Sequence, residues 1–124
     1  MDPLLKLIDL EKEIRAYGFN WPDMKSILDQ VFSEIQEVKD EIVKDSSGGG
    51  IQEEMGDLLH AVISLILFAG YDVNETLQKI HDKFLIRTNR LRAIASKQGL
   101  LDLKNQNPSV LADLWHLVKM EEKG

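Results

Sequence analysis

Three glutamates, Glu34, Glu37 and Glu41, recur at spacings of three and four residues, and a helix turning 100° per residue gathers them within about 60° of arc. Like charges so placed destabilise an isolated helix. A second acidic pair, Glu54 and Asp57, also falls on one helical face, immediately before Leu58 and Leu59. Asp57 is therefore expected near the edge of a core, where an unpaired carboxylate is costly. An isolated Glu-x-x-Glu is ordinarily a solvated helix edge, but two such pairs on helices joined by a short turn can converge. Four clustered negative charges need a cation. All-oxygen ligation selects a hard ion, magnesium with manganese as the alternative, and magnesium that retains waters commonly bridges to substrate phosphates.

A complementary feature lies further along the chain. Lys79, Lys83, Arg87 and Arg90 would share about 80° of one helix, a local positive strip of the kind that clamps phosphoryl groups. Taken alone, the strip is an ordinary solvated face. Trp21 and Trp115 stand near expected segment boundaries, where an indole can stack on a base or pack in a core. His60 and His116 have no partner at metal-ligand spacing, and the doublet His81-Asp82 is too short a motif to carry weight.

The elements that position these groups can be read from apolar periodicity. Leu4, Leu7, Ile8 and Ile14, followed by Gly18, predict a first helix over residues 3–17. A second is expected to begin with Pro22 in its first turn and carries Met24, Ile27, Leu28, Val31, Ile35, Val38 and Ile42 at helical period. The stretch Ser46-Ser47-Gly48-Gly49-Gly50 reads as a flexible turn and lacks the Lys-Ser/Thr of a phosphate-binding loop. A third helix, Ile51 to Ala69, is apolar on nearly every side beyond Asp57 and is expected to be buried. Asn74 is the expected cap of a fourth, running to Gly99, and Asn107-Pro108 opens a short last helix. No segment alternates with period two, so the class is all-α, a four-helix bundle with a short C-terminal helical arm.

At 124 residues the chain suits one domain, with a core that needs no disulfide or structural metal. The absence of cysteine excludes disulfides, thiolate zinc sites and thiol nucleophiles, and is compatible with a reducing, cytoplasmic setting. A net charge of −6 argues against nucleic-acid polymers and anionic membranes as partners. Residues 1–10 lack the pattern of a signal peptide, and the most apolar stretch, Leu58 to Gly70, is too short for a membrane span.

Several motifs then line up in order. Ser33-Glu34-Ile35-Gln36-Glu37 and Glu54-Met55-Gly56-Asp57-Leu58-Leu59 resemble the Glu-x-x-Glu and Glu-Leu-Gly-Asp-Leu-Leu motifs of the MazG family of nucleoside triphosphate pyrophosphohydrolases. Trp21-Pro22-Asp23 resembles the family's Cys-Pro-Trp-Asp, and Asp82-Lys83-Phe84-Leu85-Ile86-Arg87 its Asp-Lys-Leu-x-x-Arg. Val110 to Trp115, with Lys119, Glu122 and Lys123, is similar to its closing Trp-x-x-x-Lys-x-x-Glu-Lys. The chain departs from the pattern at Gln30, Ser33 and Thr88-Asn89-Arg90, and lacks a Cys-Pro before Trp21.

The resemblance implies one MazG-like domain over residues 1–124, with Glu34, Glu37, Glu54 and Asp57 ligating magnesium, Lys83 and Arg87 on the phosphates, and Trp115 on the nucleotide. The implied reaction converts a nucleoside triphosphate and water to the monophosphate and pyrophosphate, with Glu37 or Glu41 as the proton acceptor. Related all-α enzymes acting on dUTP or phosphoribosyl-ATP are the alternative, as is a non-catalytic module for oligomerisation or nucleotide binding. The apolar third helix further predicts a homo-oligomer, a two-fold dimer or a dimer of dimers. A last helix too short to be stable alone would dock on the second copy and bring Trp115 to its nucleotide.

Overall fold

The computed structural model describes residues 2–44 and 49–123. The expected turn at 46–50 therefore falls largely outside the described residues. Those that are described contain five α-helices and no strand, in agreement with the all-α expectation. Backbone contacts divide the chain into two compact units, residues 1–76 and 77–124, which are described separately.

In the first unit, α1 (Pro3–Tyr17) starts where the Asp2 carboxylate accepts the Leu4 N–H at 3.1 Å. It stops at Gly18, whose φ of 117° is open to glycine at little steric cost. The second helix, α2 (Met24–Val43), begins two residues beyond Pro22, the residue expected in its first turn. Asp23 is the N-cap, accepting the Ser26 N–H at 2.8 Å, and Pro22 lies outside the helix. Gly49 precedes α3 (Gly50–Phe68). Helix α4 (Val73–Lys97) is opened by Asp72, which accepts the Glu75 N–H at 2.9 Å, so the expected cap Asn74 is already inside the helix.

Helices α2 and α3 pack along one another. Six residues separate them in the chain, and the packed pair is an αα-hairpin. Ile8 of α1, Ile63 of α3 and Val73 at the start of α4 form a buried cluster, flanked by Leu4, Leu7, Ile66 and Leu67, while Ile27 of α2 is fully buried. The expected complete burial of α3 is not met. Ala61, Ile63 and Ser64 are buried, but Met55, Leu59 and Val62 are exposed on a shared face.

In the second unit, the last helix, α5 (Pro108–Lys123), is 16 residues long rather than a short arm. Its Leu114 and Val118 are buried. Trp115 meets Phe84 of α4 edge to face, with ring centroids 6.2 Å apart, so α5 docks on its own chain through the indole expected to reach a second copy. Among the described residues no single helix is long and apolar enough to cross a membrane.

Ile27 has no exposed surface, so Ile27→Ala removes buried methyl groups and leaves a cavity, at an expected cost of about 2–5 kcal/mol. Urea denaturation should show a lower midpoint with an unchanged slope; an unchanged midpoint would mean that α2 is not anchored through this side chain.

Candidate metal centre

The α2/α3 hairpin brings the two acidic pairs together. One carboxylate oxygen from each of Glu34, Glu37, Glu54 and Asp57 lies within 4.8 Å of every other. The helical spacing of three points both members of each pair the same way, and the packing of α2 along α3 brings the pairs face to face. Glu34 is buried at 8% exposure and Glu54 is half-buried, whereas Glu37 and Asp57 are exposed. The expectation for Asp57 therefore belongs to Glu34 and Glu54: those are the carboxylates drawn toward the core.

The electrostatics of the cluster follow from its crowding. Burial raises the Glu34 carboxyl above the ordinary glutamate value, and the neighbouring carboxyl and charge of Glu37, with the charge of Asp57, act in the same direction. Gln30, donating to Glu34 Oε1 at 2.6 Å, partly opposes them. Glu34 Oε2 and Glu54 Oε2 are buried without a hydrogen-bond partner. Buried carboxylate oxygens are ordinarily satisfied. Here two such oxygens stand in an all-oxygen set of four acids, a donor set that fits a hard divalent cation. Glu41, the other expected proton acceptor, is outside this set and pairs with Lys44 at 3.6 Å.

In the second unit, the basic strip meets acids of its own chain. Arg87 of α4 donates through both Nε and Nη2 to the Glu122 carboxylate of α5, the second contact at 3.0 Å, and its guanidinium lies 5.8 Å from the Trp115 ring centroid. The pairing lowers the Glu122 carboxyl below its usual range and raises Arg87. Arg90 approaches Glu121 at 3.8 Å and Glu122 at 3.7 Å. Lys83 is exposed on the same helix. His81 and Asp82 contact each other at 3.2 Å, Gln78 also donates to the Asp82 carboxylate at 2.8 Å, and both His81 and Asp82 are exposed.

A polar network that sequence reasoning missed adjoins the acids in the first unit. Glu11 of α1 is buried and accepts from Arg15 Nε at 3.1 Å and Ser64 Oγ at 2.8 Å on Oε1, and from His60 Nε2 at 2.8 Å on Oε2. Arg15 also donates to the Ser64 carbonyl at 2.7 Å. Burial raises the Glu11 carboxyl, but the bonds from His60, Ser64 and Arg15 and the charge of His60 together outweigh it, and Glu11 is held below its ordinary value. Glu11 and His60 are 49 residues apart; the one signal in the sequence was an acid interrupting the apolar stripe of α1. Beside this network lies a largely apolar cavity of about 570 Å³, lined by Leu7, Leu10, Ile14, Phe19, Trp21 and His60 among others. Trp21, read as a boundary indole, is half-buried in its wall.

An all-helical chain with four convergent carboxylates on a helical hairpin defines a class of protein with an acidic, cation-ready centre. Residues 23–91 match the MazG nucleotide pyrophosphohydrolase domain, a span that includes all four acids, and the chain belongs to the MazG family. It is 30% identical over 122 residues to the nucleoside triphosphate pyrophosphohydrolase of Escherichia coli (strain K12), covering 96% of this chain and 45% of that protein. It is 27% identical over 123 residues to the nucleoside triphosphate pyrophosphohydrolase/pyrophosphatase MazG of Thermotoga maritima, covering 96% and 46%. The chain thus spans about half the length of these curated relatives.

Because the lowered Glu11 favours the ionised form in the folded state, its contribution to stability is fully present above the ordinary glutamate value and is lost as pH falls through the lowered one. Glu11→Gln is therefore expected to cost about 1–2 kcal/mol at pH 7, with the gap to the parent protein closing below about pH 4. Urea titrations of both proteins across that range measure the gap; a constant difference would show that charge on Glu11 is not its source.

Proposed function

We propose that this chain is a magnesium-dependent nucleoside triphosphate pyrophosphohydrolase, converting a triphosphate and water to the monophosphate and pyrophosphate. The observation that carries the reading is the set of four carboxylates within 4.8 Å, two of them with a buried oxygen that has no hydrogen-bond partner. The relatives' names, each a nucleoside triphosphate pyrophosphohydrolase, support the substrate class. Glu34, Glu37, Glu54 and Asp57 would hold magnesium, with manganese as the substitute. Magnesium bound there supplies neutralisation of phosphate charge and Lewis acidity.

The roles of the protein's own groups follow from their chemistry. Glu37 is exposed at the rim of the cluster, so its carboxylate can take the proton of a water attacking the α-phosphorus in line as the bond to pyrophosphate breaks. Glu41, engaged by Lys44, is the weaker choice. Lys83 and Arg87 are assigned to the phosphates and Trp115 to the nucleotide on the family resemblance, with residues 1–124 acting as one domain in the cytoplasm.

We further propose that the protein works as a homodimer or a dimer of dimers. Leu28, Phe32, Ile35 and Ile42 of α2 are exposed within about 80° of arc, and Met55, Leu59 and Val62 of α3 within about 60°. Apolar stripes of this kind mark interfaces. Light scattering should give at least twice the chain mass; a fully active monomer at micromolar concentration would refute the assembly.

Pyrophosphate release from a panel of triphosphates, with and without magnesium, tests the activity. Glu37→Gln and Asp57→Asn should each lower turnover more than roughly tenfold, given the several kcal/mol that metal catalysis supplies. Both variants should keep the helical circular dichroism and lose magnesium affinity measured without nucleotide. Retained turnover would remove the acids from the site, and a panel without any hydrolysis would leave a binding module.

A further inference from the structure

Glu34 differs from the other acids of the centre in having one oxygen committed and one open. Its Oε1 accepts from the side-chain amide of Gln30 at 2.6 Å, and its Oε2 is buried without a hydrogen-bond partner. Among the described residues it is the only one of the four acids to accept from a side-chain amide. Both groups lie on the inward face of α2. Glu34 falls about two turns beyond the fully buried Ile27, and Gln30, half-buried, stands between them, one turn before the acid. Glu34 is itself buried, so packing leaves its carboxyl few other directions to take.

An ionised carboxylate only accepts, so the Gln30 group that faces Oε1 is its NH2. The amide draws on the lone pairs of Oε1 and leaves Oε2 as the better ligand. It does so without charge, whereas a lysine or arginine in its place would set a positive charge beside the cation and oppose it. Hydrogen bonds to the carboxylates that hold a metal orient them and tune the affinity of the site. The number of oxygens a carboxylate offers also bears on which cation fits. Magnesium takes about six oxygens in a near-octahedral array at close range, while calcium takes about six to eight, often both oxygens of one carboxylate. A glutamate held to one oxygen suits the first and denies the second a ligand.

We propose that Gln30 is a positioning residue for the cation and tunes its selectivity: by holding Oε1 of Glu34 it makes that glutamate a one-oxygen ligand through Oε2, which shifts the site toward magnesium and manganese and away from calcium. Gln30 does not ligate the ion and acts through Glu34 alone. The proposal rests on the cation reading of the four acids and adds to it the choice among divalent ions.

The test uses manganese as the probe, its binding followed by the paramagnetic resonance of the free ion, with magnesium and calcium titrated in as competitors and no nucleotide present. Gln30→Leu, similar in size and without a donor, frees Oε1, so manganese affinity should fall by roughly tenfold or more. Calcium should at the same time gain on magnesium as a competitor by roughly threefold or more. Gln30→Lys, whose Nζ can reach the same oxygen from one turn away, should weaken all three ions through its charge and keep the parent protein's calcium-to-magnesium ratio. Circular dichroism should show both variants as helical as the parent. An unchanged ratio in Gln30→Leu, even with weaker binding, would reduce Gln30 to a packing role and overturn the proposal, as would a ratio shifted equally by Gln30→Lys. A parent protein that binds none of the three ions would sink the cation reading and the proposal together, whereas bound manganese with an unmoved ratio sinks the proposal alone.

Discussion

Four carboxylates held within 4.8 Å of one another repel, and each close pair of like charges at a protein surface costs on the order of several kcal/mol. The structure must supply that energy from elsewhere. It does so through the α2/α3 hairpin, whose packing, with Ile27 of α2 fully buried, fixes the two acidic faces opposite each other. The raised Glu34 carboxyl is the local mark of the conflict, since burial and the neighbouring acids both favour its protonated form. A divalent cation relieves it at once, which is why the arrangement is better suited to holding an ion than to being left bare.

The same helix serves two kinds of polar group in sequence. Glu54 and Asp57 face α2, and the next turns place His60 and Ser64 against Glu11 of α1. Two opposed uses of acid result: Glu34, pushed toward its protonated form by burial and the neighbouring acids, and Glu11, kept ionised by Arg15, Ser64 and His60. Arg15 adds a bond to the Ser64 carbonyl and lies over the Phe68 ring, so α1 is tied to α3 at several points along the wall of the cavity. A small helical unit thereby keeps its acidic centre and its apolar cavity in register without a disulfide.

The second unit shows a different resolution of charge. The two arginines of the basic strip on α4 are met by acids, while Lys79 and Lys83 stay exposed: Glu121 and Glu122 of α5 reach Arg87 and Arg90, and the Trp115 ring lies beside the Arg87 guanidinium. Any phosphate that Arg87 meets must compete with a bidentate carboxylate, a partner of similar geometry and charge. Docking of α5 on Phe84 holds this arrangement within one chain.

Local patterns in the sequence determined the helical class, the spans of α1 and α3, and the pairing of Glu34 with Glu37 and of Glu54 with Asp57, because helical period and i,i+3 spacing are properties of neighbouring residues. Caps were less legible: Asp23 and Asp72 open α2 and α4 in place of Pro22 and Asn74, since adjacent turn-forming residues compete and geometry picks the one whose oxygen reaches a free N–H. The depth of each acid was not legible at all. Asp57, beside two leucines, is exposed, while Glu34, in a spacing that is ordinarily a solvated helix edge, is buried. The Glu11–His60 contact and the cavity beside it join residues 49 positions apart, a separation over which periodicity carries no information. Only the packing of α1 and α2 on α3 decided them, because burial and long-range hydrogen bonds depend on which faces meet rather than on which residues are adjacent in the chain.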